Sequence, residues 1–178
     1  IEYARVNNVP FLGICLGMQL AMIEYARNIL GIENANSIEF DAETNEPIVY
    51  LIDEFIDASG SKQLRTTKSP LGGTMRLGEY DCHTKEGSIL REIYDSKIIF
   101  ERHRHRYEAN PKYREQLENA GMSISGESSG LIEAVEIDNH RWFLGVQFHP
   151  EFTSRLQSVN PTILGFVKAA QLYASEND

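Results

Sequence analysis

The chain has 178 residues, 42% hydrophobic and 24% charged, which suits one domain with a buried core and excludes a disordered or collagen-like polypeptide. A formal net charge of −9 argues against general nucleic-acid or anionic-membrane binding, since both need basic surface, and favours small ligands or protein partners. No segment approaches the ~20 apolar residues of a membrane span, and Ile1-Glu2-Tyr3-Ala4-Arg5 does not read as a signal peptide.

Elements of β and α pattern alternate along the chain, which predicts an α/β domain with a mostly parallel central sheet and helices on its faces. Val9 to Ile14 is a short apolar run with a glycine near its end, the pattern of a buried parallel strand. It runs into Gly13-Ile14-Cys15-Leu16-Gly17-Met18-Gln19, a cysteine between two glycines where strand gives way to helix. That pattern is a nucleophile elbow: both glycines allow a sharp turn and close strand–helix packing, and the side chain between them is pushed outward. The thiol then sits at a helix N-terminus, where the dipole and the free N–H groups favour the thiolate.

The following helix carries Leu16, Leu20, Ile23 and Leu30 near helical spacing, with Gly31 as its cap. Pro47 to Leu51 and Ile98 to Phe100 are expected strands. Between them, Ser59 to Gly78 is rich in Ser, Thr, Lys and Gly without apolar period, the longest loop and a candidate mobile lid. Asn110-Pro111 supplies an N-cap and a first-turn proline for a polar helix to about Gly121. Leu131 to Ile137, the turn Asp138-Asn139-His140 and Trp142 to Phe148 form a hairpin that delivers His149 at its end. Pro161 to Ala174 closes the chain as an amphipathic helix. There is no internal repeat or linker.

The run Gln147-Phe148-His149-Pro150-Glu151-Phe152 offers a base and a carboxylate two residues apart, so Cys15, His149 and Glu151 form a candidate Cys/His/Glu triad. Taken singly each residue has a plainer explanation. A lone cysteine at a strand end is usually a small buried hydrophobe, and His-Pro-Glu after a strand is ordinary turn chemistry. Only two cysteines occur, Cys15 and Cys82, with no metal-site spacing, so a reducing compartment such as the cytoplasm fits and Cys82 reads as structural. Alternation puts Arg102, Arg104 and Arg106 on one strand face and His103 and His105 on the other. Structural ion pairs in an acidic protein explain this cluster better than phosphate contacts, and no third ligand is spaced to make the two histidines a metal site. Glu39, amid Glu33, Asp41 and Glu43, would by itself pass for a solvated charge.

The elbow together with His149-Pro150-Glu151 resembles the triad-type, class I glutamine amidotransferases. Three further segments, residues 34–40, 71–78 and 102–108, resemble the CTP synthases within that group. The resemblance covers the chain almost end to end and implies a flavodoxin-like fold with its N-terminal part missing. Residues 1–178 would be a single glutaminase domain, preceded in the family by a further strand, helix and glycine-rich loop and by a synthetase domain.

The activity so implied is hydrolysis of L-glutamine, through a thioester on Cys15, to supply ammonia for ATP-dependent amination of UTP to CTP. His149 would manage the proton and Glu151 orient it. The backbone N–H of Leu16 would be one oxyanion donor, the family's other being a glycine in the preceding loop. Arg106 and Glu39 match the family positions that hold the carboxylate and ammonium of the substrate, and Gln19 the position that contacts bound glutamine. No cofactor is implied for this domain; ATP and magnesium belong to the synthetase domain, GTP is the activator, and the whole enzyme is a homotetramer. The Gly72-Gly73-Thr74-Met75-Arg76 segment, with Arg65 and Lys68, is the expected lid through which activator or partner domain acts on Cys15. Two rivals stand beside this reading. One is an amidotransferase for another acceptor or a γ-glutamyl hydrolase, against which residues 72–78 and 102–108 speak; the other is a non-catalytic docking module.

Overall fold

The computed structural model describes residues 1–51, 54–56, 62–64 and 75–177, with side chains for 1–51 and 75–177. In chain order the elements are α1 (Glu2–Val6), β1 (Phe11–Ile14), α2 (Leu16–Asn28), β2 (Asn36–Ser37), β3 (Pro47–Leu51), β4 (Glu54–Ile56), β5 (Lys62–Leu64), β6 (Arg76–Thr84), α3 (Ile89–Tyr94), β7 (Ile98–His105) and β8 (Tyr107–Ala109). A 3-10 turn at Pro111–Tyr113 then leads into α4 (Arg114–Asn119), followed by β9 (Met122–Ser128), β10 (Leu131–Ile137), β11 (Phe143–Val146), a 3-10 turn at Pro150–Phe152 and α5 (Pro161–Asn177). Six strands form the main sheet in the order β1-β11-β10-β9-β6-β7, while β2-β3-β8 and β4-β5 form two small sheets.

The α/β architecture with flanking helices is as expected, but the main sheet is mixed rather than mostly parallel. Among its described strands only β1 and β11 run parallel; β11-β10, β10-β9, β9-β6 and β6-β7 are antiparallel. Short turns join β9 to β10 and β10 to β11, and a strand that returns through a short turn must pair antiparallel. β1 and β11 are distant in sequence and escape that constraint. The sheet curls until the backbone N–H of His149, just past β11, donates to the carbonyl of Arg102 on the far edge strand at 2.8 Å.

Apolar side chains fill both faces of this sheet. On one face Met18, Met22, Tyr25 and Ala26 of α2 pack with Ile48, Val49, Leu117 and Val135. On the other, Cys82, Leu90, Leu144, Val146 and Phe148 pack with Phe166 and Ala169 of α5. The face of α2 matches the expected stripe in part: Ile23 is buried and Leu30, just past the helix end, packs against the core, while Leu16 and Leu20 are exposed and Met18, Gln19, Ala21, Met22, Tyr25 and Ala26 fill the rest of the buried side. Two alanines and a tyrosine carry little weight in an apolar count, yet they allow the close approach to the sheet. Gly31, at φ +70°, ends the segment as expected and lets the N–H of Ile32 reach the carbonyl of Ala26 at 3.0 Å.

Strand β7 alternates as read from the arginines and histidines, with Ile99, Glu101, His103 and His105 inward and Ile98, Phe100, Arg102 and Arg104 outward. It is longer than the expected Ile98 to Phe100 because its inward side continues with polar residues. Arg106 falls just after the strand has ended and lines one cavity together with Arg104. The expected loop Ser59 to Gly78 is shorter than its composition suggested, since Lys62–Leu64 is strand and β6 begins at Arg76. Arg65, Lys68, Gly72, Gly73 and Thr74 lie outside the described residues.

Arg76 itself is not the surface cation expected of a lid. It is 2% exposed, with Nη1 2.7 Å from Glu133 Oε1 and 3.5 Å from Glu108 Oε2, both carboxylates buried. One guanidinium thus faces two carboxylates beside His103 and His105, and burial pushes the Glu133 carboxyl up despite Arg76. Burial, with Arg76 nearby, holds His103 well below the usual histidine range, so it is neutral at physiological pH.

Removing one partner of a buried ion pair strands the other charge. Arg76→Met is expected to cost ~3–5 kcal/mol in urea unfolding at pH 7. Because the stranded carboxyls prefer the protonated form in the folded state, the deficit should shrink as pH falls from 7 toward 5. A deficit independent of pH would remove the stranded charge as its cause.

Candidate active site

Cys15 occupies the N-cap of α2 at φ +51°, ψ −103°, a conformation strained for any residue but glycine. Its N–H donates to the carbonyl of Val146 at 2.7 Å, which pins the turn to β11. Gly13 makes the turn possible: a Cβ there would lie 2.7 Å from the carbonyl carbon of Gly17 and 2.8 Å from its oxygen. Gly17 differs from expectation, since a Cβ at that position meets open space.

Strand pairing brings the distant histidine to this turn. Ile14 pairs with Val146 in the parallel ladder, so Cys15 and His149 both emerge from the C-terminal ends of adjacent strands. His149 Nδ1 lies 2.6 Å from Glu151 Oε1. A carboxylate only accepts, so Nδ1 carries the proton and Nε2 is left as the basic nitrogen. That Nε2 is buried and has no hydrogen-bond partner among the described residues. Phe152 stacks on the imidazole, with centroids 4.8 Å apart and planes 15° from parallel. The Pro150–Phe152 turn therefore sets the ring from two sides. Buried Glu101 holds the end of that turn, accepting from Thr153 Oγ1 at 2.8 Å.

Beside Cys15 lies a cavity of about 250 Å³, small against the ~300–1,000 Å³ of drug-sized sites. Cys15, Leu16, Gln19, Glu39 and Arg106 all line it, so the fold gathers every residue expected to bind substrate. Met75, Arg104, His105 and Tyr107 complete the wall; none of these was singled out as a binding residue from sequence. Glu39 is exposed, on the turn after β2, while Arg106 sits between β7 and β8. The N–H of Leu16 points at the Cys15 sulfur.

Gln19 is 3% exposed, and its Nε2 donates to the carbonyl of Tyr107 at 2.9 Å and to Gln147 Oε1 at 3.0 Å. With both amide hydrogens so used, it offers only its carbonyl Oε1 to a ligand. Gln147 and Phe152 flank His149 in the same run but carry no signal of a role in the sequence, since a buried amide has no periodic signature of its own. Cys82 is buried in the core and belongs to no site, as expected. Among the described residues no group of His, Cys, Asp and Glu is arranged to hold a metal ion.

A sequence profile of the family Glutamine amidotransferase class-I matches residues 1–169. The chain belongs to that family. It is 68% identical over 177 residues to the CTP synthase of Sulfurimonas denitrificans, covering 99% of this chain and 33% of that protein. It is 64% identical to the CTP synthase of Wolinella succinogenes, over 100% of this chain and again 33% of the relative. The chain thus spans about a third of the length of the curated relatives it matches. Among solved structures, the Trypanosoma brucei CTPS glutaminase domain with bound acivicin superposes with a TM-score of 0.83 at 40% identity, covering 96% of this chain and 63% of that one. A GMP synthase component from Thermoplasma acidophilum, with a TM-score of 0.55 at 15% identity, covers 99% of this chain and 64% of its own and shares the fold alone.

Electrostatics at the elbow of this amidotransferase run against the thiolate expected there. Burial pushes the Cys15 thiol up to about 11; the N–H of Leu16 lowers it, while Glu108, Glu151 and Glu39 raise it further. The helix N-terminus is outweighed by desolvation and three acidic groups. At neutral pH the free amidotransferase therefore holds Cys15 as a thiol.

Iodoacetamide alkylation of Cys15, followed by mass spectrometry of its peptide, should accelerate about tenfold per pH unit from pH 7 to above pH 9. A plateau below pH 8 would mean that the thiolate already exists in the free protein.

Proposed function

We propose that this chain is the glutaminase unit of a CTP synthase, with residues 1–178 acting as one domain and a synthetase domain supplied by the longer polypeptide that its relatives represent. The observation that carries the reading is the gathering of Cys15 and the oppositely charged pair Arg106 and Glu39 at one cavity, while the parallel pairing of β1 with β11 brings the His149–Glu151 turn next to the elbow. Such a cavity suits a small zwitterion. Arg106 would take the α-carboxylate in a two-pronged contact, Glu39 the ammonium, and Gln19 Oε1 a donor of the side-chain amide. The CTP synthase relatives, and the acivicin-bound glutaminase domain that the chain matches, support glutamine as that zwitterion.

In the reaction Cys15 sulfur attacks the δ-carbonyl carbon as its proton passes to His149 Nε2. The oxygen takes up negative charge facing the Leu16 N–H. Collapse of the tetrahedral adduct breaks the C–N bond, His149 returns the proton to the nitrogen, and ammonia leaves. Water, deprotonated by the same Nε2, then cleaves the thioester and releases glutamate. Glu151 holds the ring and balances the imidazolium at each stage. The ammonia would serve ATP- and magnesium-dependent amination of UTP in the synthetase domain, with GTP as activator, in a cytoplasmic homotetramer. None of those steps uses a cofactor at this site.

The test is covalent labelling of the full-length polypeptide with a glutamine-mimicking diazoketone, with and without excess glutamine, and peptide mapping of the adduct. A single adduct on Cys15 that glutamine suppresses is expected, with Cys82 untouched. Equal labelling of Cys15 and Cys82, or an adduct that glutamine does not suppress, would sink the assignment.

A further inference from the structure

Gln147 is fully buried, belongs to no part of the mechanism above, and touches the nucleophile: its Nε2 donates to Cys15 Sγ at 3.6 Å. The direction of that contact is not arbitrary, although the two ends of an amide look alike. The carbonyl of Tyr107 can only accept, so the end of Gln19 facing it must be the NH₂, at 2.9 Å. The same NH₂ donates to Gln147 at 3.0 Å, so the end of Gln147 facing Gln19 must be the oxygen. Gln147 is therefore obliged to turn its own NH₂ toward the sulfur. His105 Nδ1 donates to the same Tyr107 carbonyl at 3.1 Å, and the N–H of Gln147 donates to the carbonyl of Glu133 at 2.8 Å, which fixes the chain at both ends.

We infer that Gln147 is a positioning residue for the nucleophile: held by Gln19, it orients the Cys15 sulfur and donates a hydrogen bond that strengthens as the sulfur becomes an anion. A bond to a charged acceptor is about twice as strong as one to a neutral acceptor, so Gln147 acts most in the attacking state. The setting makes that donor necessary. The ionisable groups around Cys15 are Glu39 after β2, Arg104 and His105 on β7, Arg106, Glu108 on β8, and the His149–Glu151 pair. Glu39, Glu108 and Glu151 all oppose a thiolate, and among the described backbone donors the Leu16 N–H offsets them. A neutral amide can aid the anion without adding a charge that would need its own partner in a buried position.

The inference rests on Cys15 being the nucleophile and is independent of which amide enters the cavity. It is tested in the full-length polypeptide with Gln147→Met, which keeps volume, Gln147→Glu, which keeps shape and reverses the interaction, and Gln19→Met, which frees the Gln147 oxygen. Labelling of the Cys15 peptide is followed from pH 7 to 9 with iodoacetamide and with a smaller methylthiolating reagent. A variant counts as folded when its Cys82 peptide stays unlabelled. Both Gln147 variants should be slower by ~10- to 100-fold at every pH, equally for the two reagents, since a lost bond to a charged group raises a thiol by ~1–2 pH units. Gln19→Met should show a smaller loss in the same direction. Glutamine hydrolysis should lose kcat by a similar factor with KM little changed. Any of the three variants that is folded and whose Cys15 labels at the parental rate overturns the inference, as does a loss confined to the larger reagent, which would mean that Gln147 only shapes space. Failure of glutamine to protect Cys15 in the parent protein would instead overturn the glutaminase reading and leave this one standing.

Discussion

The parallel register from Phe11↔Phe143 to Ile14↔Val146 fixes where chemistry can occur. It is the single parallel pairing among the described strands of the main sheet, and it joins residues more than a hundred positions apart. The elbow at Cys15 and the turn at His149 leave the sheet side by side only because both strands end at the same level. A one-residue slip would send Cys15 to the opposite side of the strand ladder. The bond from the Cys15 N–H to the Val146 carbonyl and the contact of Gly13 with the Gly17 backbone guard against that slip at its most sensitive point. The strain of a positive φ at Cys15 is thus stored in a place that packing over-determines.

Behind the cavity, Arg76, Glu108, Glu133, His103 and His105 form a buried polar layer where an apolar core would be more economical. Its position explains its use. β6, β7, β8 and β10 meet there, and the backbone of Tyr107, which receives both His105 and Gln19, is the cavity wall. Apolar packing tolerates small slides between strands, whereas a guanidinium between two carboxylates does not. The layer therefore trades stability for a wall of defined position. It also links the first residue of β6, and so whatever precedes it, to the side of the cavity that carries Arg104 to Tyr107.

Legibility from sequence followed the reach of each signal. The elbow, the hairpin ending in His149 and the inward-outward alternation of residues 102–105 are local patterns, and each stands in the structure where it was read. Family resemblance supplied Glu39 and Arg106, which composition would have left as surface charges, and the cavity gathers both. The mostly parallel sheet failed because β9, β10 and β11 follow one another through short turns and so pair antiparallel, and β6 pairs antiparallel with both β7 and β9. Ile23 of α2 and Leu30 just past its end face the core as read, but Leu16 and Leu20 do not, because alanine, methionine and tyrosine occupy the close contact. Arg76 was misjudged for a related reason: a cation beside glycines looks like a loop residue until its two carboxylates, 32 and 57 residues away, are placed around it. Gln147 and Phe152 have no signature in sequence because they act by touching neighbours, the Cys15 sulfur and the His149 ring.

A sulfur held near pKa 11 at rest is a poor target for oxidants and adventitious electrophiles, because the thiolate is the reactive form. The same partial burial that silences it also makes nearby charges count, since fields are less screened there than in bulk water. On the proposed reading, the ammonium of an entering amino acid would sit on Glu39, one of the three acids that hold the thiol up, and cancel its field. The basic nitrogen of His149 already faces a buried space with no competing partner among the described residues, and Leu16 and Gln147 already point their hydrogens at the sulfur. Arrival of substrate would then change the balance of charge around a nucleophile whose backbone turn is fixed beforehand.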